Sequence, residues 1–181
     1  MLARWSLLLV VLLGFAFSAS TQDAQARRKK PKKDPAHARA IKAWQAFPFV
    51  GNCSWKNCAK DGWSGNYGSS RCSFSSCFKD GWSTSYRDGK SSSTRCSFSN
   101  CQKDGWSTQL PDGSSASTRC SFGNCFKDGW TTSLWGGKSI SVRCDWNDCL
   151  KEGYSIRLPN GRNIQCRCNW KSCLKEGASC N

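Results

Sequence analysis

The chain has 181 residues, 27 Lys plus Arg against 12 Asp plus Glu for a formal net charge of +15, fourteen cysteines and one histidine. A balance this basic favours acidic partners. A single histidine leaves little material for acid–base catalysis or for mixed Cys/His zinc sites.

The first segment places Arg4 before an apolar run from Leu7 to Phe17, followed by small and polar residues. The run is shorter than the roughly 20 residues a spanning helix needs, so residues 1–26 read as a secretory signal peptide with Ala24-Gln25-Ala26 as the cleavage site. The expected location is secreted, periplasmic or cell-surface. Residues 27–35 form a basic arm, Arg-Arg-Lys-Lys-Pro-Lys-Lys at its start, with no apolar face and an expectation of disorder. Over residues 36–50 an Ala-rich stretch with Ile41 and Trp44 on one side predicts a short helix ending before Pro48, then a linker. This helix is expected to pack on the first repeat as a cap.

Residues 51–181 are a tandem array. A Cys-x4-Cys pair recurs at 53/58, 72/77, 96/101, 120/125, 144/149 and 168/173, and from Cys72 onward the period is 24 residues. The units are 53–71, 72–95, 96–119, 120–143, 144–167 and 168–181. Self-similarity at a constant period is the signature of a repeat architecture. Within a unit, Trp106, Thr108 and Leu110 alternate with polar residues, as do Ala116, Thr118, Cys120 and Phe122, so each unit predicts two half-buried strands. Pro111-Asp112-Gly113 between them suits a three-residue loop ending in a left-handed glycine. The fold class is all-β: 24-residue β-hairpin repeats forming a disulfide-stapled meander of about eleven strands or a hairpin solenoid, with a closed β-barrel as the alternative.

In an exported chain, cysteines read as disulfides. The economical pairing is local: Cys53 with Cys58, Cys72 with Cys77, Cys96 with Cys101, Cys120 with Cys125, Cys144 with Cys149 and Cys168 with Cys173. Bridges between neighbouring units remain open, since counting cysteines does not select a pairing. Two cysteines stand outside the pattern. Cys166 replaces the inner Thr118-type residue and Cys180 the inner Thr108-type residue, so if Cys168 lies opposite Ala178 the two face each other and staple the last strand.

Alternation also sorts the surface. Arg71, Arg95, Arg119, Arg143 and Arg167 each precede the first cysteine of a unit on the face opposite the core, and Lys79, Lys103 and Lys127 add cations at the connectors. A row of guanidinium groups suits carboxylate, sulfate or phosphate. The same alternation assigns Phe74, Phe98, Phe122, Trp146 and Trp170 to the core, leaving Trp135, Phe78 and Phe126 free to meet a ligand. The carboxylates repeated beside glycine, such as Asp80 and Asp104, read as turn residues, and no nucleophile motif, metal set or cofactor site is evident. The expected function is therefore non-enzymatic: a binding protein for an anionic polysaccharide, glycan or other surface polyanion by multivalent contact. Nucleic acid is a less favoured polyanion, and the basic arm offers a route to a membrane surface. The rival readings are a structural or adhesive component of an envelope, coat or matrix, and, less favoured, an antimicrobial or toxin.

Overall fold

The computed structural model describes residues 34–181, so the proposed signal peptide and most of the basic arm lie outside the described residues. The first element is helix α1, Pro35–Gln45. Asp34 caps it, its carboxylate accepting the Ala36 N–H at 2.9 Å, and proline opens its first turn where no N–H is needed. Asp34 and Pro35 thus belong to the helix start rather than to the arm.

Twelve antiparallel strands follow in a single sheet in sequential order. The first six strands are β1 (Asn52–Cys53), β2 (Trp63–Gly65), β3 (Gly68–Cys72), β4 (Trp82–Tyr86), β5 (Ser91–Cys96) and β6 (Trp106–Gln109). The rest are β7 (Ser115–Cys120), β8 (Trp130–Leu134), β9 (Ser139–Cys144), β10 (Tyr154–Arg157), β11 (Asn163–Cys168) and β12 (Ala178–Cys180), with tight hairpin turns joining β2 to β3, β4 to β5, β6 to β7, β8 to β9 and β10 to β11. The strand beyond the expected eleven is the two-residue β1. An apolar face on a sheet this long must be hidden, and here the sheet curls until its ends meet. The Gly51 N–H donates to the Ala178 carbonyl at 3.0 Å and the Ala178 N–H returns to Gly51 at 2.8 Å. The chain therefore takes the barrel form of the hairpin-repeat fold, which removes both open edges.

The interior is layered because each unit contributes the same residue at the same height. Trp63, Trp82, Trp106, Trp130 and Tyr154 form a buried belt, with successive ring centroids 5.6, 5.9, 5.6 and 6.2 Å apart. Inward hydroxyls pair across neighbouring strands: Ser70 with Thr84 at 2.8 Å, Thr94 with Thr108 at 2.9 Å and Thr118 with Thr132 at 2.8 Å. Each of these six hydroxyls finds its partner in the adjacent repeat, as burial demands. At the same position later in the chain, Val142 faces Ile156 and Cys166 faces Cys180.

All fourteen cysteines are bonded. The six Cys-x4-Cys pairs close locally, from Cys53–Cys58 through Cys144–Cys149 to Cys168–Cys173, so none of these six bridges joins neighbouring units. Cys166 bonds Cys180 in the register set by Cys168 opposite Ala178.

Between the two cysteines of a unit the chain leaves the sheet, and in five units a one-turn helix follows: α2 (Cys58–Asp61), α3 (Cys77–Asp80), α4 (Cys101–Asp104), α5 (Cys125–Asp128) and α6 (Cys173–Glu176). The fifth unit differs, for the residues from Cys149 to Glu152 form a turn rather than a helix. Cys149 is nonetheless buried like its counterparts, and its N–H donates to the Phe126 carbonyl of the preceding unit at 2.9 Å. Carboxylates fasten these loops: Asp80 accepts the Ser76 N–H at 3.0 Å and Asp128 the Asn124 N–H at 3.0 Å. The glycine ending each such turn is required by more than its φ. A Cβ on Gly105 would stand 2.1 Å from the Thr118 carbonyl oxygen, because the turn rests against the backbone of the neighbouring strand. The hairpin glycine Gly113, also at positive φ, meets nothing within 4 Å and serves conformation alone.

Helix α1 does not cap the first repeat as expected. Closure creates a mouth at the hairpin-turn end, and the helix lies across the turns of the second, third and fourth units. Arg39 pairs with Asp112 at 2.6 Å, Lys42 pairs with Asp88 at 3.2 Å, and the Arg39 guanidinium sits 5.3 Å from the Trp135 ring centre. The following residues run into the lumen. Phe47 contacts Trp106, Trp130 and Tyr154, with centroids 5.8, 4.2 and 5.5 Å away, while Phe49 reaches Phe78 and Phe126 at the cysteine end. A twelve-stranded ring is too wide for its own side chains to fill, so the N-terminal segment supplies the missing core.

Candidate functional site

Two expectations about aromatics are reversed. Phe78 is half-buried and Phe126 fully buried, because the one-turn helix after the second cysteine directs the next side chain under the barrel. Phe74, Phe98, Phe122, Trp146 and Trp170, expected inside, are 82–94% exposed, and Trp55 in the first unit is 77% exposed. Strand alternation ends at the first cysteine of each pair. The disulfide then closes a tight ring that cannot continue the pleat, and in three units the aromatic itself adopts left-handed backbone: φ is 45° at Phe98, 49° at Trp146 and 47° at Trp170. The next residue in each case is left-handed as well. Such conformations cost non-glycine residues about 1–2 kcal/mol each. A sequence signal was available, since an aromatic midway between two bonded cysteines cannot obey strand parity.

Arg71, Arg95, Arg119, Arg143 and Arg167 all stand exposed on the outer wall, directly opposite Ser83, Ser107, Thr131, Ser155 and Ser179 of the neighbouring strands. Ladder and aromatics meet in a shallow groove of about 520 Å³ on the fifth unit, where it borders the fourth, lined by Arg143, Asp145, Trp146, Glu152, Ser155 and Arg167. Two successive arginines thus flank one aromatic, with carboxylates and a hydroxyl between them. The repeat places equivalent residues of other units in register: Arg95, Phe98, Asp104, Ser107 and Arg119 match in kind, with Ser97 in place of Asp145. Lys79, Lys103 and Lys127 are exposed on α3, α4 and α5, at the cysteine end.

Trp135 is separate from this groove. It lies at the opposite end of the barrel, 70% exposed, with Arg39 over its ring, so its contact is with the helix across the mouth. The same fastening shapes the local acids. The Ser114 hydroxyl, with the Arg39 guanidinium beside it, holds the Asp112 carboxyl down at about 2. The Lys90 N–H, and then Lys42, lowers Asp88. Burial pushes Tyr86 up to about 12, and its hydroxyl donates to the Lys42 carbonyl at 2.9 Å.

No helix among the described residues is long and apolar enough to cross a membrane, and none of their His, Cys, Asp or Glu side chains gathers into a metal-binding group. Seven disulfides fit an oxidising compartment. No family model, curated protein or solved structure matches the chain. The outer groove is the arrangement from which a function must be argued.

Proposed function

We propose that this is a secreted, non-enzymatic protein that holds an anionic surface glycan by multivalent contact around the outer wall of its barrel. The observation that supports the reading is the groove in which exposed Trp146 lies with Arg143, Ser155 and Arg167, residue types that recur in sequence in the second, third and fourth units. Guanidinium groups take carboxylate or sulfate through paired N–H donors, and an exposed aromatic face packs against the C–H face of a sugar ring. Successive sites two strands apart stand roughly 10 Å from one another, so a chain that engages one meets the next at high effective concentration. The rival structural role is weakened by closure, since a ring with both edges paired has no end on which to extend.

Retention on an anionic polysaccharide tests the reading. Neutralising three charges predicts a loss of roughly 40-fold between 50 and 200 mM salt on the slope established for duplex DNA. Replacing Arg95, Arg119 and Arg143 together by Gln should weaken binding at least tenfold and flatten that slope without changing the fold. Deleting residues 27–33, which spares the Asp34 cap, removes the basic arm instead. If the arm deletion abolishes retention while the triple Gln variant matches the parent, the ladder is only a solvated face.

A further inference from the structure

Closure reorders the repeats in a way the linear chain conceals. The exposed aromatic is Trp in the first, fifth and sixth units and Phe in the second, third and fourth. In sequence the tryptophans are split between the two ends of the array. Because Gly51 pairs with Ala178, the sixth unit borders the first, and Trp146, Trp170 and Trp55 become consecutive around the ring. One arc is tryptophan and the opposite arc is phenylalanine.

The polar groups divide along nearly the same line. The residue after the first cysteine is Ser73, Ser97 and Ser121 on the Phe arc and Ser54 in the first unit, but Asp145 and Asn169 in the fifth and sixth units. Asp145 accepts a hydrogen bond from the Gln165 amide at 2.7 Å. Asn169 accepts from the Ser179 hydroxyl of its own unit at 2.8 Å and donates across the seam to Asn52 at 3.4 Å. Asn52 occupies the ladder position held by arginine in the other units. Beside Trp146 and Trp170 the Trp arc therefore carries planar carboxylate and amide groups, already oriented by their neighbours, in addition to arginine. The Phe arc has serine at the equivalent positions.

Planar carboxylate and amide groups can engage adjacent sugar hydroxyls through two hydrogen bonds at once, and indole offers the widest apolar face to a pyranose. Building on the proposed glycan binding, we propose that recognition resides in the Trp arc, which takes a chain of pyranose rings bearing acidic substituents, stacked on Trp146, Trp170 and Trp55, with Arg143 and Arg167 meeting the acids. The Phe arc supplies charge alone.

Two triple variants test this, W55A/W146A/W170A and F74A/F98A/F122A, with near-ultraviolet circular dichroism as the check on fold; all six side chains are exposed, so folding should be retained. The probes are four acidic polysaccharides, heparin, alginate, polygalacturonate and hyaluronan, with polyphosphate as an anionic chain lacking sugar. For the polysaccharide that the parent binds best, the Trp triple should lose tenfold or more in affinity and the Phe triple less than threefold, while polyphosphate affinity stays within twofold in both. That polysaccharide should also shift the tryptophan emission of the parent to the blue. Equal losses in the two triples, or a Trp-triple loss as large for polyphosphate as for the polysaccharide, overturn the division of the ring and leave the general reading standing. A parent that binds none of the four overturns the general reading as well.

Discussion

If the barrel owes its interior to the segment after α1, then Phe47→Ala should be among the most damaging single substitutions in the molecule. Phe47 is 4% exposed and packs on Trp106, Trp130, Tyr154, Phe49 and Phe126, with ring centroids 4.2 to 6.4 Å away. Removing a buried phenylalanine ring costs about 3–5 kcal/mol through lost transfer free energy and the cavity left behind. The surrounding rings are held by the sheet and cannot collapse far, which favours the upper part of that range. Against a total stability of ~5–15 kcal/mol, the loss is a large fraction, and it corresponds to a fall in Tm of roughly 6–20 °C for a domain of this size. Urea unfolding under non-reducing conditions, followed by near-ultraviolet circular dichroism, measures it. Phe98→Ala is the matched control, since Phe98 is 94% exposed and its removal should stay within about 0.5 kcal/mol. A Phe47→Ala cost below about 1 kcal/mol, or equal to that of the control, would refute the view that the N-terminal segment fills the lumen.

Three further outcomes follow from the same geometry. Replacing Cys166 and Cys180 together by Thr should leave the native fold, because Thr94 and Thr108 fill the equivalent position with a hydrogen bond; the lost cross-link costs about 3 kcal/mol and the new bond returns about 1, and a double variant that fails to fold refutes the equivalence. Gly105→Ala should be far more destabilising than Gly113→Ala, since both have φ near 80° but only the first meets a neighbouring carbonyl; the second should cost about 1–2 kcal/mol, and equal midpoints in urea would deny the close approach. Asp112, held at about 2 in the folded chain against ~3.9 unfolded, contributes stability that is present above pH 4 and lost as pH falls toward 2. Asp112→Asn should flatten the decline of Tm across that window by a small amount, because the pair is part-exposed; a decline identical to that of the parent would show that the contact does not hold the helix.

Much of this molecule was legible in its sequence, for local and covalent reasons. A two-residue alternation decides which strand face is inner, a glycine at positive φ decides a three-residue turn, and a four-residue gap between cysteines favours pairing them with each other, as at Cys144 and Cys149. The same alternation, carried across a register, put Cys166 opposite Cys180. It failed where the pleat stops: at Phe74, Phe98 and Trp146 the chain has left the sheet, and a disulfide-closed turn sends the ring outward. It also said nothing decisive about closure, which depends on twist accumulated over twelve strands and on one pairing between Gly51 and Ala178. From that pairing come the mouth that α1 covers, the lumen that Phe47 fills and the adjacency of Trp55 to Trp170. The repeat, its hairpins and its staples could be read from the residues alone, because those interactions join positions close along the chain; the ring and the outward surface it assembles arise only in three dimensions, where the two ends of the array meet.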